Sequence, residues 1–149
     1  ALDLWSRLPG QQQDKAIDGE AFRLWLSSAE TGAEAVGRAE VAASIIGQVL
    51  AGAPKDPSGF WIHMIPAKAL DRVQADRMRV GFRVGLFNKR GVHWVDPTGA
   101  PEAAMATDAD ERASECERVG LVRIAALMRG MAEDYRRDAK RVRDDALRE

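Results

Sequence analysis

The chain has 149 residues, of which 46% are apolar and 30% are charged, and its formal net charge at pH 7 is −1. This composition is typical of folded globular proteins and excludes a disordered chain, and the length matches one domain with a buried core. The charge balance excludes a strongly basic nucleic-acid-binding protein and an acidic tail. We therefore predict a single domain over residues 1–149.

The chain contains one cysteine, Cys116, so no intramolecular disulfide can form. A lone cysteine favours a reducing compartment, and we expect a cytoplasmic location. No apolar run approaches the roughly 20 residues that cross a bilayer, and we expect no secretory leader and no contact with a membrane. No motif implies a cofactor, and none is expected.

An apolar cluster opens the sequence and ends at the turn signal Pro9-Gly10. We interpret residues 1–10 as a tether that docks on the core through Leu2, Leu4, Trp5 and Leu8.

Two helices are predicted over residues 12–52. The first, over about 12–29, carries one apolar stripe that comprises Phe22, Trp25, Leu26 and Ala29. The second begins at Thr31, where Glu34 has the spacing of a capping box, and it ends at Gly52.

Over residues 59–95, we predict a β unit with a hairpin. The apolar run over 60–65 is typical of a buried strand, and Pro66 begins a short helix to about Ala75. Apolar and other residues alternate over 78–87, which is the period of a half-buried strand, and 92–95 form the return strand. A helix over 67–87 is the alternative, but Gly81 and Gly85 would each cost it about 1 kcal/mol relative to alanine. The hairpin is favoured.

In the last third of the chain, we predict an acidic linker over 96–106 and a helical region over 107–148. Small and apolar residues recur there at alternating steps of four and three, the heptad spacing of helices that pack along a seam. These heptad residues are Leu121, Ala125, Met128, Ala132, Tyr135, Ala139, Val142 and Ala146. These residues pack either against another chain or against the chain's own predicted helix over 31–51. That helix is shorter than the helical region over 107–148, so it would cover only part of the seam.

The predicted fold is α+β, with helices packed on a small three-stranded antiparallel sheet in the order α-α-β-(α)-β-β-α and a long C-terminal helix. Within it, residues 66–95 hold seven Lys/Arg and two acids, whereas 96–118 hold seven acids and two arginines. The hairpin presents a basic set that comprises Arg77, Arg79, Arg83, Lys89 and Arg90. A basic ribbon fits the major groove of DNA, but we favour a solvated face paired with the acids of 102–117.

His63 and His93 are the two histidines, and on neighbouring strands they would be candidates for a shared metal or for proton transfer. No third ligand is set by spacing, so a structural role is favoured for each. The carboxylates of Glu115 and Glu117 disfavour a reactive thiolate at Cys116. The usual hydrolase, zinc-protease and nucleotide motifs are absent from the sequence, and no catalytic residue is assigned.

These patterns favour a non-enzymatic interaction or accessory protein that self-associates, or binds a protein partner, through its C-terminal heptad helix. Two alternatives are open: a nucleic-acid-binding module that uses the basic hairpin, and an enzyme or metal site around the two histidines.

Overall fold

The structure is a computed structural model, and it describes residues 8–12 and 16–149. Over these ranges the chain forms six helices and no strand: α1 (Gly19–Ala35), α2 (Ala39–Leu50), α3 (Met64–Leu70), α4 (Asp76–Asn88), α5 (Ala100–Arg118) and α6 (Val122–Arg148). One isolated antiparallel bridge joins Gln11 to Ile17. The predicted α+β fold with a three-stranded sheet is therefore wrong. Of the predicted tether, residues 1–7 lie outside the described ranges, and Leu8 is buried.

The structure divides the chain into two compact units, Ala1–Lys89 and Arg90–Glu149. The first unit holds α1 to α4, with a core that includes Phe22, Leu50, Leu70 and Phe82. The second unit holds α5 and α6. The single domain over 1–149 stays a prediction.

The boundary between the first two helices differs from the prediction, because Thr31 lies inside α1 instead of capping α2. Asp18 caps α1 by accepting hydrogen bonds from the backbone N–H groups of Glu20 and Ala21. The helix ends at Ala35, and Gly37, two residues later, has a φ of 69°. Its neighbour Arg38 donates its backbone N–H to the carbonyl of Ala33 at 2.8 Å, as in a Schellman motif.

The predicted strand over 78–87 is helix α4, which packs on α2 in the same chain direction, since Gly81 lies against Ser44 and Gly85 lies against Gln48. The two helices approach so closely that a Cβ on Gly47 would lie 1.8 Å from the carbonyl oxygen of Met78. A Cβ on Gly81 would lie 1.8 Å from the carbonyl oxygen of Ser44, and one on Gly85 would lie 2.5 Å from the Cβ of Ala51. Gly81 and Gly85 destabilise a helix relative to alanine, but this free-energy cost is offset by the close packing of the two backbones. Larger residues at these positions would prevent that packing.

The other two predicted strands are also absent. Residues 61–62 form a bend, and Phe60 lies outside any helix or strand. The chain then enters α3, the short helix expected near Pro66. Residues 92–95 form an exposed segment outside the helices, without a strand partner among the described residues, and Trp94 in this segment is 98% exposed.

The predicted acidic linker over 96–106 is mostly helical, since α5 begins at Ala100. The predicted helical region over 107–148 is divided by a turn at Gly120, which has a φ of 83°. Leu121 donates its backbone N–H to the carbonyl of Cys116 at 2.9 Å and closes the turn. The long C-terminal helix is therefore one arm of a helical hairpin.

Candidate functional site

The heptad residues of α6 face α5 in this hairpin. Six of them are buried, from Leu121 to Ala139, whereas Val142 is half-buried and Ala146 is exposed. Helix α5 carries its own buried row at steps of four and three, which comprises Glu102, Ala106, Ala109, Ala113 and Cys116. The intramolecular partner of the seam is thus α5 rather than the region 31–51. The alternating steps of four and three in α5 are the sequence signal that could have identified α5 as this partner.

The contact between the two arms continues to the start of α5. Gly99, whose φ is 69°, precedes α5, and a Cβ there would lie 2.6 Å from the carbonyl oxygen of Ala139. Polar pairs border the seam on one side: Arg129 pairs with Asp110 at 3.1 Å and Glu117 at 3.0 Å, and Arg136 also pairs with Asp110. The acids of α5 therefore neutralise arginines of α6.

The distal end of α6 carries its own ion pairs. Lys140 pairs with Asp144, and Arg141 pairs with Asp138 at 3.2 Å, one turn away on the same helix. Leu147 is 86% exposed there. Such pairs stabilise a solvated helix by a few tenths of a kcal/mol each. The use of the heptad residues as a partner interface stays a prediction, and only this distal part of the seam is not buried.

The five predicted basic residues lie on or just after α4, without the hairpin on which the nucleic-acid hypothesis depended. Arg79 donates its Nη1 to the carbonyls of Leu70 at 2.7 Å and Arg72 at 2.6 Å. It therefore binds the carbonyls at the end of α3. Arg83 lies over the Phe87 ring, with its Cζ 5.8 Å from the centroid.

The remaining three basic residues differ in their surroundings. Arg77 is mostly exposed, with its Nη2 3.9 Å from a carboxylate oxygen of Glu40, and Lys89 is an exposed residue at the end of α4. Arg90 binds Glu102 with its Nη2 2.7 Å from Oε1. Whether these residues contact nucleic acid stays a prediction.

Glu102 is a buried carboxylate, with 4% of the residue exposed. The hydrogen bond from Arg90 lowers its pKa, and this effect exceeds that of burial, which raises the pKa. Its second oxygen, Oε2, has no hydrogen-bond partner in the described part of the chain. The pair holds the segment before α5 on the first turn of that helix.

The two histidines lie in different units. His63 is buried and caps α3, since its Nδ1 accepts a hydrogen bond from the backbone N–H of Ile65 at 3.2 Å. His93 is exposed, and its Nδ1 lies 3.2 Å from the carbonyl oxygen of Gly91. Among the described residues, no three or more His, Cys, Asp or Glu side chains are grouped to hold a metal ion.

Asp56 supports the cap at His63. Its Oδ1 accepts a hydrogen bond from the backbone N–H of Met64 at 2.9 Å and lies 3.9 Å from the Nδ1 of His63. Burial raises the pKa of Asp56, but hydrogen bonds from Ser58 and Met64 together lower it further than burial raises it. These contacts give His63 a structural role at the start of α3.

The candidate interaction surface is an apolar face on the outside of α2 and α4. It comprises Val41, Ile45 and Val49 of α2 with Val80 and Val84 of α4. Ile45, at its centre, is 56% exposed. We call these five residues the outer face.

Helical geometry places the five side chains on one side of the helix pair. At 100° per residue, the row of Val41, Ile45 and Val49 is centred about 120° around α2 from Ile46 and Leu50, which are buried in the core. On α4, Val80 and Val84 point away from the buried Met78 and Phe82. Because the helices are parallel and in backbone contact, the two rows lie next to each other.

The sequence contained the signal for this face, because apolar residues of α2 also fall outside the row of Ile46 and Leu50. Helix α2 has one charged residue, Glu40, in twelve positions. A helix that is apolar around its whole circumference is normally covered on all sides. The sequence analysis therefore missed that a second apolar side of α2 stays uncovered.

The comparisons with known proteins assign no family. No protein-family model, no curated protein and no solved structure matches the chain. In the described ranges, no helix is both long enough and apolar enough to cross a membrane.

Proposed function

We propose that the chain is a non-enzymatic interaction protein that self-associates through the outer face of α2 and α4. The observation that carries this proposal is the apolar character of α2 on both its core side and its exposed side. Covering the exposed side removes apolar area from water, at about 25 cal/mol per Å².

The size of the outer face supports a protein partner. Five half-exposed valine and isoleucine side chains form a patch on the order of a few hundred Å², the size at which apolar patches are often functional. Each partner of a standard interface buries roughly 800 Å², and the outer face would supply the apolar centre of such an interface.

The arrangement of the α2 residues supports a second copy as that partner. Val41, Ile45 and Val49 are spaced by four residues, so the row is symmetric about Ile45. A two-fold axis through Ile45 pairs it with its own copy and places Val41 opposite the partner's Val49. Rows at a spacing of four fit the grooves of an identical helix surface.

Charge favours an antiparallel arrangement of the two α2 helices. Arg38 precedes the N-terminus of α2, where a cation opposes the helix dipole, and the last turn of α2 has no basic residue. In an antiparallel pair, each Arg38 lies near the C-terminus of the other α2. A cation is stabilising at that position.

Disulfide trapping tests this arrangement. Ile45→Cys should cross-link rapidly on mild oxidation, because the two-fold axis brings the two side chains together. Leu24→Cys is the matched control, since Leu24 is an exposed apolar residue of α1 outside the outer face. Equal rates for the two variants, or no dimer from Ile45→Cys, would contradict the proposal.

The distal part of α6 is a second candidate interface, favoured by one observation. Val142 is half-buried, and Ala146 and Leu147 are exposed beyond the part of α6 that packs on α5.

The cytoplasmic location also belongs to the proposal. It is supported by Cys116, which is a buried thiol of the second unit that forms no disulfide.

A further inference from the structure

A half-open cleft of about 430 Å³ lies between α1 and α3 in the first unit. Four apolar side chains form its floor: Phe22 and Leu26 of α1, with Ile65 and Ala69 of α3. Phe22 and Leu26 are buried, so the floor is continuous with the core. The volume is within the range of roughly 300–1,000 Å³ that is typical of small-molecule sites.

Among the described residues that line this cleft, each charged one is a cation. Arg23 belongs to α1, Lys68 belongs to α3, and Arg72 follows α3. Arg72 is fixed, because its Nη2 pairs with Glu30 at 3.0 Å and its Nε donates to the carbonyl of Ala69 at 2.9 Å. Within the described part of the chain, Arg23 and Lys68 have no carboxylate partner.

The Arg23 side chain lies at the edge of the apolar floor. A Cβ built on Gly19 would lie 3.4 Å from Nη1 of Arg23 and 3.2 Å from Cδ1 of Ile65. The guanidinium and the Ile65 side chain therefore meet beside Gly19, at the start of α1. A ligand on the floor is consequently within reach of a cation that pairs with no carboxylate of the described residues.

We propose that this cleft binds a small amphipathic anion, with an acyl chain on the apolar floor and a carboxylate at Arg23 and Lys68. Both cations only donate hydrogen bonds, which matches an acceptor-only carboxylate. A neutral ligand with the same chain leaves the two charges unmatched. The cleft lies between α1 and α3, so this proposal does not depend on self-association through the outer face.

Titration of the full chain with octanoate tests the proposal, followed by the backbone amide signals in ¹H–¹⁵N NMR spectra. We expect saturable shifts concentrated in α1 and α3. Octanol, which lacks the charge, and butyrate, which lacks most of the chain, should each bind at least about fivefold more weakly. Equal binding of octanoate and octanol, or no saturable shift with octanoate, would overturn the proposal.

Variants separate the cleft from general electrostatic attraction. Arg23→Ala and Lys68→Ala should each weaken octanoate binding about fivefold, whereas Lys55→Ala, at an exposed lysine outside the cleft, should leave it unchanged. Ala69→Leu should fill the floor and abolish binding. Ile45→Asp should bind octanoate as the wild type does. Equal effects of Lys68→Ala and Lys55→Ala would also overturn the proposal.

Discussion

Gly81 of α4 lies directly against the backbone of Ser44 in α2, so closely that a Cβ on Gly81 would be 1.8 Å from the Ser44 carbonyl oxygen. Gly47 makes the equivalent contact with Met78 from the other helix. This backbone packing joins α2 and α4 and sets the position of both apolar rows of the outer face.

Gly81→Ala should therefore destabilise the first unit by about 3 kcal/mol or more, because the added methyl group forces the two backbones apart. The midpoint of urea unfolding measures this effect. Gly32→Ala is the matched control: Gly32 is also helical, a Cβ there meets nothing within 4 Å, and the variant should gain up to about 1 kcal/mol. Similar stabilities for the two variants would contradict the close contact.

Arg79 and Arg77 lie on the same helix but should differ in their effect on stability. Arg79→Ala removes the guanidinium that donates to the carbonyls of Leu70 and Arg72, of which the Arg72 carbonyl keeps the backbone N–H of Ala75 as a donor, and we expect a loss of about 1–3 kcal/mol. Arg77→Ala removes one exposed pair at 3.9 Å and should change the free energy of unfolding by less than about 0.5 kcal/mol. Thermal unfolding of both variants compares them, and an equal loss would refute the structural role of Arg79.

The Arg90–Glu102 pair should make stability depend on pH. The folded-state pKa of Glu102 is lowered by Arg90, so the stabilisation is fully present above the unfolded pKa of about 4.3. It is lost as pH falls through the lower folded pKa. Urea unfolding between pH 7 and pH 3 should show this loss in the wild type and a smaller loss in Glu102→Gln.

Glu133→Gln, which changes an exposed carboxylate on α6, is the control for that series and should keep the wild-type pH profile. Arg90→Ala should cost about 3 kcal/mol at pH 7, because the Glu102 carboxylate is then buried without a cation. A Glu102→Gln profile identical to the wild type would show that the pair is not formed.

Deleting residues 143–149 distinguishes the two candidate interfaces. These residues lie beyond Ala139, which packs against Gly99, and their ion pairs are exposed. We expect the melting temperature to change by less than about 2 °C and the solution mass to correspond to the same oligomer. A deletion that converts a dimer to a monomer would place the interface on α6 instead of the outer face.

The sequence indicated the first two helices and the C-terminal seam, because each has a strong apolar period. It misidentified α4, where Met78 and Phe82 face the core while Val80 and Val84 lie on the outer face. Each of these two rows has a spacing of four residues, and one row is offset from the other by two. Together they place an apolar residue at every second position, which is also the pattern of a half-buried strand. Only the contact with α2 distinguishes the two interpretations, and that contact joins residues far apart in sequence.

The site was less predictable than the fold. The heptad pattern identified the buried side of α6, but a periodic pattern does not state which helix covers it. The outer face and the cleft depend on which sides of α1, α2 and α4 stay uncovered after folding. Arg23 and Lys68, for example, are separated by 45 positions and meet at one cleft only through the packing of α1 and α3.

Self-association through the outer face is measured by the solution mass from size-exclusion chromatography with light scattering. The wild type should be a dimer at micromolar concentrations, and Ile45→Asp should be a folded monomer, because a carboxylate at the two-fold axis faces its own copy. Leu24→Asp, with its change at an exposed residue of α1, should stay a dimer. A monomeric wild type, or a dimeric Ile45→Asp, would contradict the account.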